Sequence, residues 1–195
     1  MRKGERTRRR ILEAARAVFG EAGYECATIR GIAAAAGVDK SSVTQYFGTK
    51  RNLFAEAVRW TVPVDRLVGA TPGETADNLM AGMLSAWARD PNGPMAILVR
   101  ASMTSEDAAA ILREHVTEHI VAAVAETFGD DPDARLRAAL LSAVMLGLAS
   151  SRYLLRMPDL DGVDDDEIVR LLSPALRSLA DSATPPAKPP RERKR

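Results

Sequence analysis

The sequence predicts an all-α protein, and three features point that way together. Between its glycines and prolines lie stretches filled with Ala, Leu, Arg and Glu, side chains that lose little freedom in a helix. Apolar residues in those stretches recur three and four positions apart, which gathers them on one helical face. No alternating run of β-branched and aromatic residues reaches a useful strand length. With 195 residues, 46% of them hydrophobic, the chain can bury a full core as one large domain or as a small domain joined to a medium one.

From Thr7 to Gly23, residues Ile11, Leu12, Ala15, Val18, Phe19 and Ala22 share one face, and Gly23 is expected to end the helix. Thr28 stands as an N-cap before Ile29, Ile32 and Ala33 in a short helix that runs to Gly37, where glycine suits a left-handed turn. Asp39 is expected to cap Lys40 to Phe47, which Gly48 closes. Thr49 caps a fourth helix, expected to reach about Val62, with Leu53, Phe54, Ala57, Val58 and Trp60 on its apolar face. The segment from Pro63 to Pro72-Gly73 marks a joint. Five more helices follow, at about Glu74 to Arg89, Pro94 to Met103, Ser105 to Phe128, Pro132 to Arg156 and Asp164 to Asp181, for about nine in total. The expected organisation is a head over 1–48, a linker helix over 50–62, a helical body over 63–183 and a disordered basic tail over 184–195.

The net charge of +1 conceals an asymmetry. Residues 1–59 hold 12 Lys/Arg against 6 Asp/Glu, whereas 60–184 hold 10 against 19, and the tail 185–195 returns to 5 against 1. A basic head on an acidic body suits a head that meets a polyanion. No apolar run is read as long enough to span a bilayer, and no secretory core follows the basic N-terminus, so a cytoplasmic protein without a membrane partner is expected. The single cysteine, Cys26, is expected to be a small buried apolar residue. No phosphate-cradling glycine loop, nucleophile elbow, catalytic triad or zinc-ligand spacing stands out, so neither an enzyme nor a cofactor or metal is expected.

The segment from Thr28 to Phe47 carries the functional pattern. It reads as two short helices joined by a tight turn at Gly37, with Ala33 and Ala34 permitting close crossing and Val38 plugging the angle. Val43 and Phe47 face inward. Lys40, Ser41, Ser42, Thr44, Gln45 and Tyr46 then form a hydrogen-bonding lane that can enter a major groove, where Gln pairs with adenine and Ser or Thr takes either partner.

Here the chain resembles the tetracycline-repressor (TetR) family of bacterial regulators. The matching elements are Arg9-Arg-Ile-Leu-Glu-Ala-Ala15, Phe19 with Gly23-Tyr24, Thr28-Ile-Arg-x-Ile-Ala, Ala36-Gly-Val38, and Tyr46-Phe-x-x-Lys50 with Leu53-Phe54. They cover about a quarter of the chain in matching order and spacing. The resemblance implies three DNA-binding helices, a larger ligand-binding and dimerisation domain, and a two-fold dimer built on the last two long helices. It also implies phosphate contacts from Thr28, Tyr46 and Lys50 and base contacts from Ser41, Ser42, Thr44 and Gln45. Ser41 stands where the family commonly has Gly, and Thr44-Gln45 where it has a Tyr-His pair, so the resemblance implies the binding mode but not the operator sequence.

In the body, Ala139, Ala143, Gly147 and Ser151 repeat every four residues as a narrow stripe of small side chains. Together with Leu172 and Leu176 of the last helix they are read as a homodimer interface. Met83, Trp87, Leu98, Met103 and Met145 form an adaptable apolar inventory for a small-molecule pocket, with His119 as a polar contact. His115 and His119 lie one turn apart, with no third metal ligand nearby. The expected partners are therefore a palindromic double-stranded operator, a second copy of the chain and an unknown effector that acts through the linker helix.

Overall fold

A computed structural model describes residues 3–181. Its elements are α1 (Lys3–Cys26), α2 (Ile29–Ala35), α3 (Lys40–Phe47), α4 (Lys50–Ala57), α5 (Val64–Leu67), α6 (Pro72–Arg89), α7 (Pro94–Ser102), α8 (Glu106–His115), α9 (Ala122–Glu126), α10 (Ala134–Ala149) and α11 (Asp165–Asp181). A π-helical segment, Val116–Val121, joins α8 to α9 in one rod, and another, Ser150–Leu154, extends α10. No strand occurs among the described residues. The nine rods expected are present, and the one-turn α5 is added within the joint. The expected tail over 184–195 lies outside the described residues.

Local chemistry explains most helix ends. Thr28 and Thr49 occupy N-caps, their hydroxyls accepting from the backbone N–H of Gly31 and Asn52 at 3.0 and 3.1 Å. Asp39 holds the N-cap position of α3, but its side chain makes no cap bond, and its backbone carbonyl accepts from Ser42 at 3.0 Å instead. Gly23 breaks α1 at φ 75°, ψ 168°, a conformation open only to glycine, and one further turn carries the chain to Cys26. That turn sends Tyr24 and Ala27 inward and leaves Cys26 exposed, which corrects the expectation of a buried cysteine.

The fourth helix is shorter than expected. It stops at Ala57, whose carbonyl accepts from Arg16 Nε at 2.7 Å, and Pro63 disfavours a helical Val62. Trp60 and Val62 therefore lie on irregular, non-helical chain.

Two large apolar cores form, beside a small cluster of Trp87, Ala96 and Ala149. The first gathers Ile11, Phe19, Ile32, Val43, Leu53 and Phe54 and takes in Ile97, Leu98, Ala101 and Ala108 from α7 and α8, so the head rests on the body through shared packing. Tyr24 reinforces that seam, its hydroxyl donating to Asp107 Oδ2 at 2.9 Å. Burial, aided by Asp107, pushes the Tyr24 pKa up to about 12. The second core holds Ala76, Met80, Leu84, Leu141, Ile168 and Leu176. There α6 packs on α11, fastened by the Arg177–Asp77 ion pair and by Asp181, whose Oδ1 accepts from Gly73 N at 2.8 Å.

Candidate nucleic-acid interface and cavity

The pair α2 and α3 is held by the first core from one side only. Val43 and Phe47 are buried on the inner edge of α3, and Lys40, Ser41, Thr44 and Gln45 are exposed together around a shallow surface depression on its outer edge. Gly37, at φ 60°, makes the turn between the two helices, and the Arg10 guanidinium donates to its carbonyl at 3.3 Å. Ser42 is half-buried, and the Thr44 hydroxyl donates to the Lys40 carbonyl at 3.2 Å. Tyr46 remains 37% exposed at the end of α3, with its hydroxyl close to the first turn of α1 at Gly4.

Lys50 is anchored rather than free. Its ammonium donates to the Glu25 carbonyl at 3.2 Å and sits 4.5 Å from the Tyr24 ring centroid. Arg8 pairs with Glu56 and lies over the Phe47 ring at 5.2 Å, which ties α1 to both α3 and α4. The caps at Thr28 and Thr49 and the polar edge of α3 are exposed, and the Lys50 ammonium is half-buried, so each offers donors or positive charge of the kind that phosphate contacts use.

The body encloses a cavity of about 360 Å³ walled by Trp60, Val62, Leu79, Met83, Trp87, Met95, Val99, Val116, Ile120, Leu141 and Met145, among others. Of the residues expected there, Met83, Trp87 and Met145 line it. Leu98 does not: Met95 and Val99, four apart on α7, face the cavity, and the intervening Leu98 turns into the head's core. Met103 is 72% exposed beyond the end of α7, and His119 is exposed on the π-helical segment. Sequence reasoning missed Trp60, which reaches the wall only because α4 ends early. Tyr153 stacks on Trp87 at 5.5 Å and donates to the Leu84 carbonyl at 3.3 Å.

The Trp60 ring contacts that of His115 at 3.9 Å, and His119 follows at 5.1 Å. Burial, then the charges of His119 and Arg59, hold the His115 pKa below its usual value. No group of three or more metal-ligating side chains occurs among the described residues.

Comparison with known proteins decides the family. The model for bacterial regulatory proteins of the tetR family matches residues 11–57, and that for the tetracyclin repressor-like C-terminal domain matches 73–179, more than half of the chain. The chain belongs to the TetR family. It is accordingly a DNA-binding regulator and not an enzyme. It is 43% identical over 58 residues to the HTH-type transcriptional dual regulator CecR of Shigella flexneri, an alignment covering 30% of this chain and 26% of that one. Across nearly its full length it resembles the crystal structure of a TetR-family regulator from Streptomyces coelicolor A3, with 27% identity and a TM-score of 0.63 over 93% of this chain and 99% of that one. It also resembles NalD, the secondary repressor of the MexAB-OprM multidrug efflux pump in Pseudomonas aeruginosa, with 25% identity and a TM-score of 0.69 over 89% and 95% of the two chains.

This TetR-family chain carries one more feature, on its outer side. Leu136, Leu140 and Val144 of α10 and Leu171 of α11 are exposed, at 59%, 45%, 39% and 64%. Ala143 and Gly147 lie exposed beside them, whereas Ala139, Ser151 and Leu172 are half-buried. Leu176 is only 2% exposed and belongs to the protein's own core, which corrects its expected place on an outer face. Ala134–Leu154 is long and apolar enough to cross a bilayer by length and composition, contrary to the sequence expectation, because its charges cluster near its ends.

Proposed function

We propose that this protein is a homodimeric repressor, that its paired α3 helices read a palindromic operator, and that a small apolar or amphipathic ligand in the cavity releases it. The carrying observation is α3 itself, buried on one edge by Val43 and Phe47 and exposing Lys40, Ser41, Thr44 and Gln45 on the other. In this reading Ser41, Ser42, Thr44 and Gln45 meet base edges, and Thr28, Lys40, Tyr46 and Lys50 meet phosphates. The protein works in the cytoplasm, on the nucleoid when bound to DNA.

The apolar outer faces of α10 and α11 support self-association. An exposed stripe of this kind is costly in water, and a two-fold copy covers it by forming a four-helix bundle. Ala143 and Gly147 let the helices approach closely, and Leu136, Leu140, Val144 and Leu171 supply the buried area. The same faces account for the bilayer-length apolar helix without a membrane.

Release by ligand is supported by the position of Trp60, which follows α4 in sequence and forms part of the cavity wall. A ligand that shifts this wall shifts the end of α4, and it alters DNA affinity only if it binds the two arrangements unequally. Selection of bound DNA from a random pool tests the whole reading. The expected product is an inverted repeat with half-sites about one helical turn apart, roughly 34–36 Å, or a multiple of it. Recovery of a single non-repeated site, or of no enriched site, would overturn it.

A further inference from the structure

We propose that the effector is an amphipathic anion, a carboxylate carried on an apolar chain or ring, and that Arg89 is its counter-charge. This deepens the preceding reading and rests on it. The body is acidic, with 19 Asp/Glu against 10 Lys/Arg over 60–184, yet no carboxylate side chain lines the cavity. Arg89, at the end of α6, is the charged residue in its wall.

Arg89 is also uncommitted. Arg137, Arg152 and Arg177 of the same body each pair with a carboxylate, but no carboxylate pairs with Arg89 among the described residues. Its Nε donates at 3.2 Å to the carbonyl of Ser85, a second wall residue, one turn earlier on its own helix. The Nη nitrogens keep their donors for a planar acceptor, and a carboxylate matches that fork.

The remaining wall is apolar. Trp60, Trp87, Met83, Met95 and Met145 contribute aromatic and thioether surface, and Ser142 satisfies itself by donating to the Ala138 carbonyl at 2.8 Å. A cation would meet Arg89 with no carboxylate to offset the repulsion. A neutral hydrocarbon would gain the wall but nothing from the arginine. The volume of about 360 Å³ lies at the small end of ligand sites, so one short chain or a compact ring fills it.

Three probes that share one chain test this: decanoate, n-decanol and decyltrimethylammonium. Trp60 and Trp87 both line the cavity, so intrinsic fluorescence reports binding directly, and calorimetry checks it. Decanoate is expected to bind about tenfold tighter than decanol or better, as a charge-assisted hydrogen bond predicts, and the cation weakest. Arg89→Gln, at an exposed helix end, should bring decanoate to the level of decanol and leave decanol unchanged, and Arg89→Lys should restore part of the difference. Equal binding of the three probes, no saturable binding of decanoate, or an Arg89→Gln variant that binds decanoate as before would each overturn the proposal. DNA release is measured separately: decanoate that binds through Arg89 but leaves affinity for the selected site unchanged would remove the effector role and keep the cavity's chemistry.

Discussion

The side chains of the proposed DNA-facing surface divide by how they are held. Gln45 is exposed on the open edge of α3, so it is available to a base edge at little cost. Lys50 is already placed by the Glu25 carbonyl and the Tyr24 ring, which orients its charge before DNA arrives. The two substitutions should therefore act differently. Gln45→Ala should relax preference at one base position, and Lys50→Met should weaken all sequences alike, reducing the logarithmic salt slope by about 0.9. Binding assays across base variants and salt separate them, and equal losses on every base variant for Gln45→Ala would remove its reading role.

His115 makes a second prediction of this kind. Its folded pKa lies below the usual 6.5, so the folded protein favours the neutral ring pressed against Trp60. The stability this contributes is present above about pH 6.5 and is lost as pH falls through the folded pKa. Chemical denaturation at pH 7.5 and at steps below 6.5 should show stability falling with pH, with a shallower fall in His115→Phe. Identical profiles for the two proteins would show that His115 does not set it.

The helix-turn-helix depends on the turn more than on either helix. Gly37 at φ 60° lets α3 leave α2 at the crossing that exposes Lys40, Ser41, Thr44 and Gln45, and a Cβ there meets no neighbour. Gly37→Ala therefore costs backbone strain alone, about 1–2 kcal/mol. A turn that relaxes this strain re-aims α3, so DNA affinity should fall by far more than that figure implies while the helical circular dichroism persists. An affinity loss no greater than the stability loss would mean that α3 keeps its aim. The C-terminus of α4 has a tertiary cause: Arg16 of α1 donates to the Ala57 carbonyl where the helix ends, and Trp60 beyond it joins the cavity wall.

The proposed association of two chains is tested on the apolar surface that the chain leaves exposed. Leu140→Arg with Leu171→Arg places charge in the middle of the apolar stripe, at positions already exposed in the isolated chain. The double variant should retain its fold, elute as a monomer by light scattering, and bind an inverted repeat far more weakly, because two recognition helices no longer arrive linked. A variant that still elutes as a dimer would move the interface elsewhere. The shared core of Ile97, Leu98, Ala101 and Ala108 with the head means that the proposed dimer would position each recognition helix through α7 and α8 as well as through the chain leaving α4.

Helix order, the caps at Thr28 and Thr49, the turn at Gly37 and the inward phase of Val43 and Phe47 could all be read from the sequence, because propensity, capping and the 3.6-residue period act over a few neighbours. The open edge of α3 was legible for the same reason. The cavity and the outer face were not. Period alone places Met95, Leu98 and Val99 on overlapping apolar arcs, and only the packing of α7 between head and body turns Leu98 one way and its neighbours the other. On α10, apolar residues surround the helix, so the sequence could not say that Leu136, Leu140 and Val144 face outward while Leu141 faces the core. On α11, likewise, contact with α6 buries Leu176 and leaves Leu171 exposed. Short-range chemistry determines where most helices start and stop, and contacts between segments distant along the chain, such as Arg16 with the end of α4, determine the remaining end and which side of each helix meets the core, the cavity or solvent.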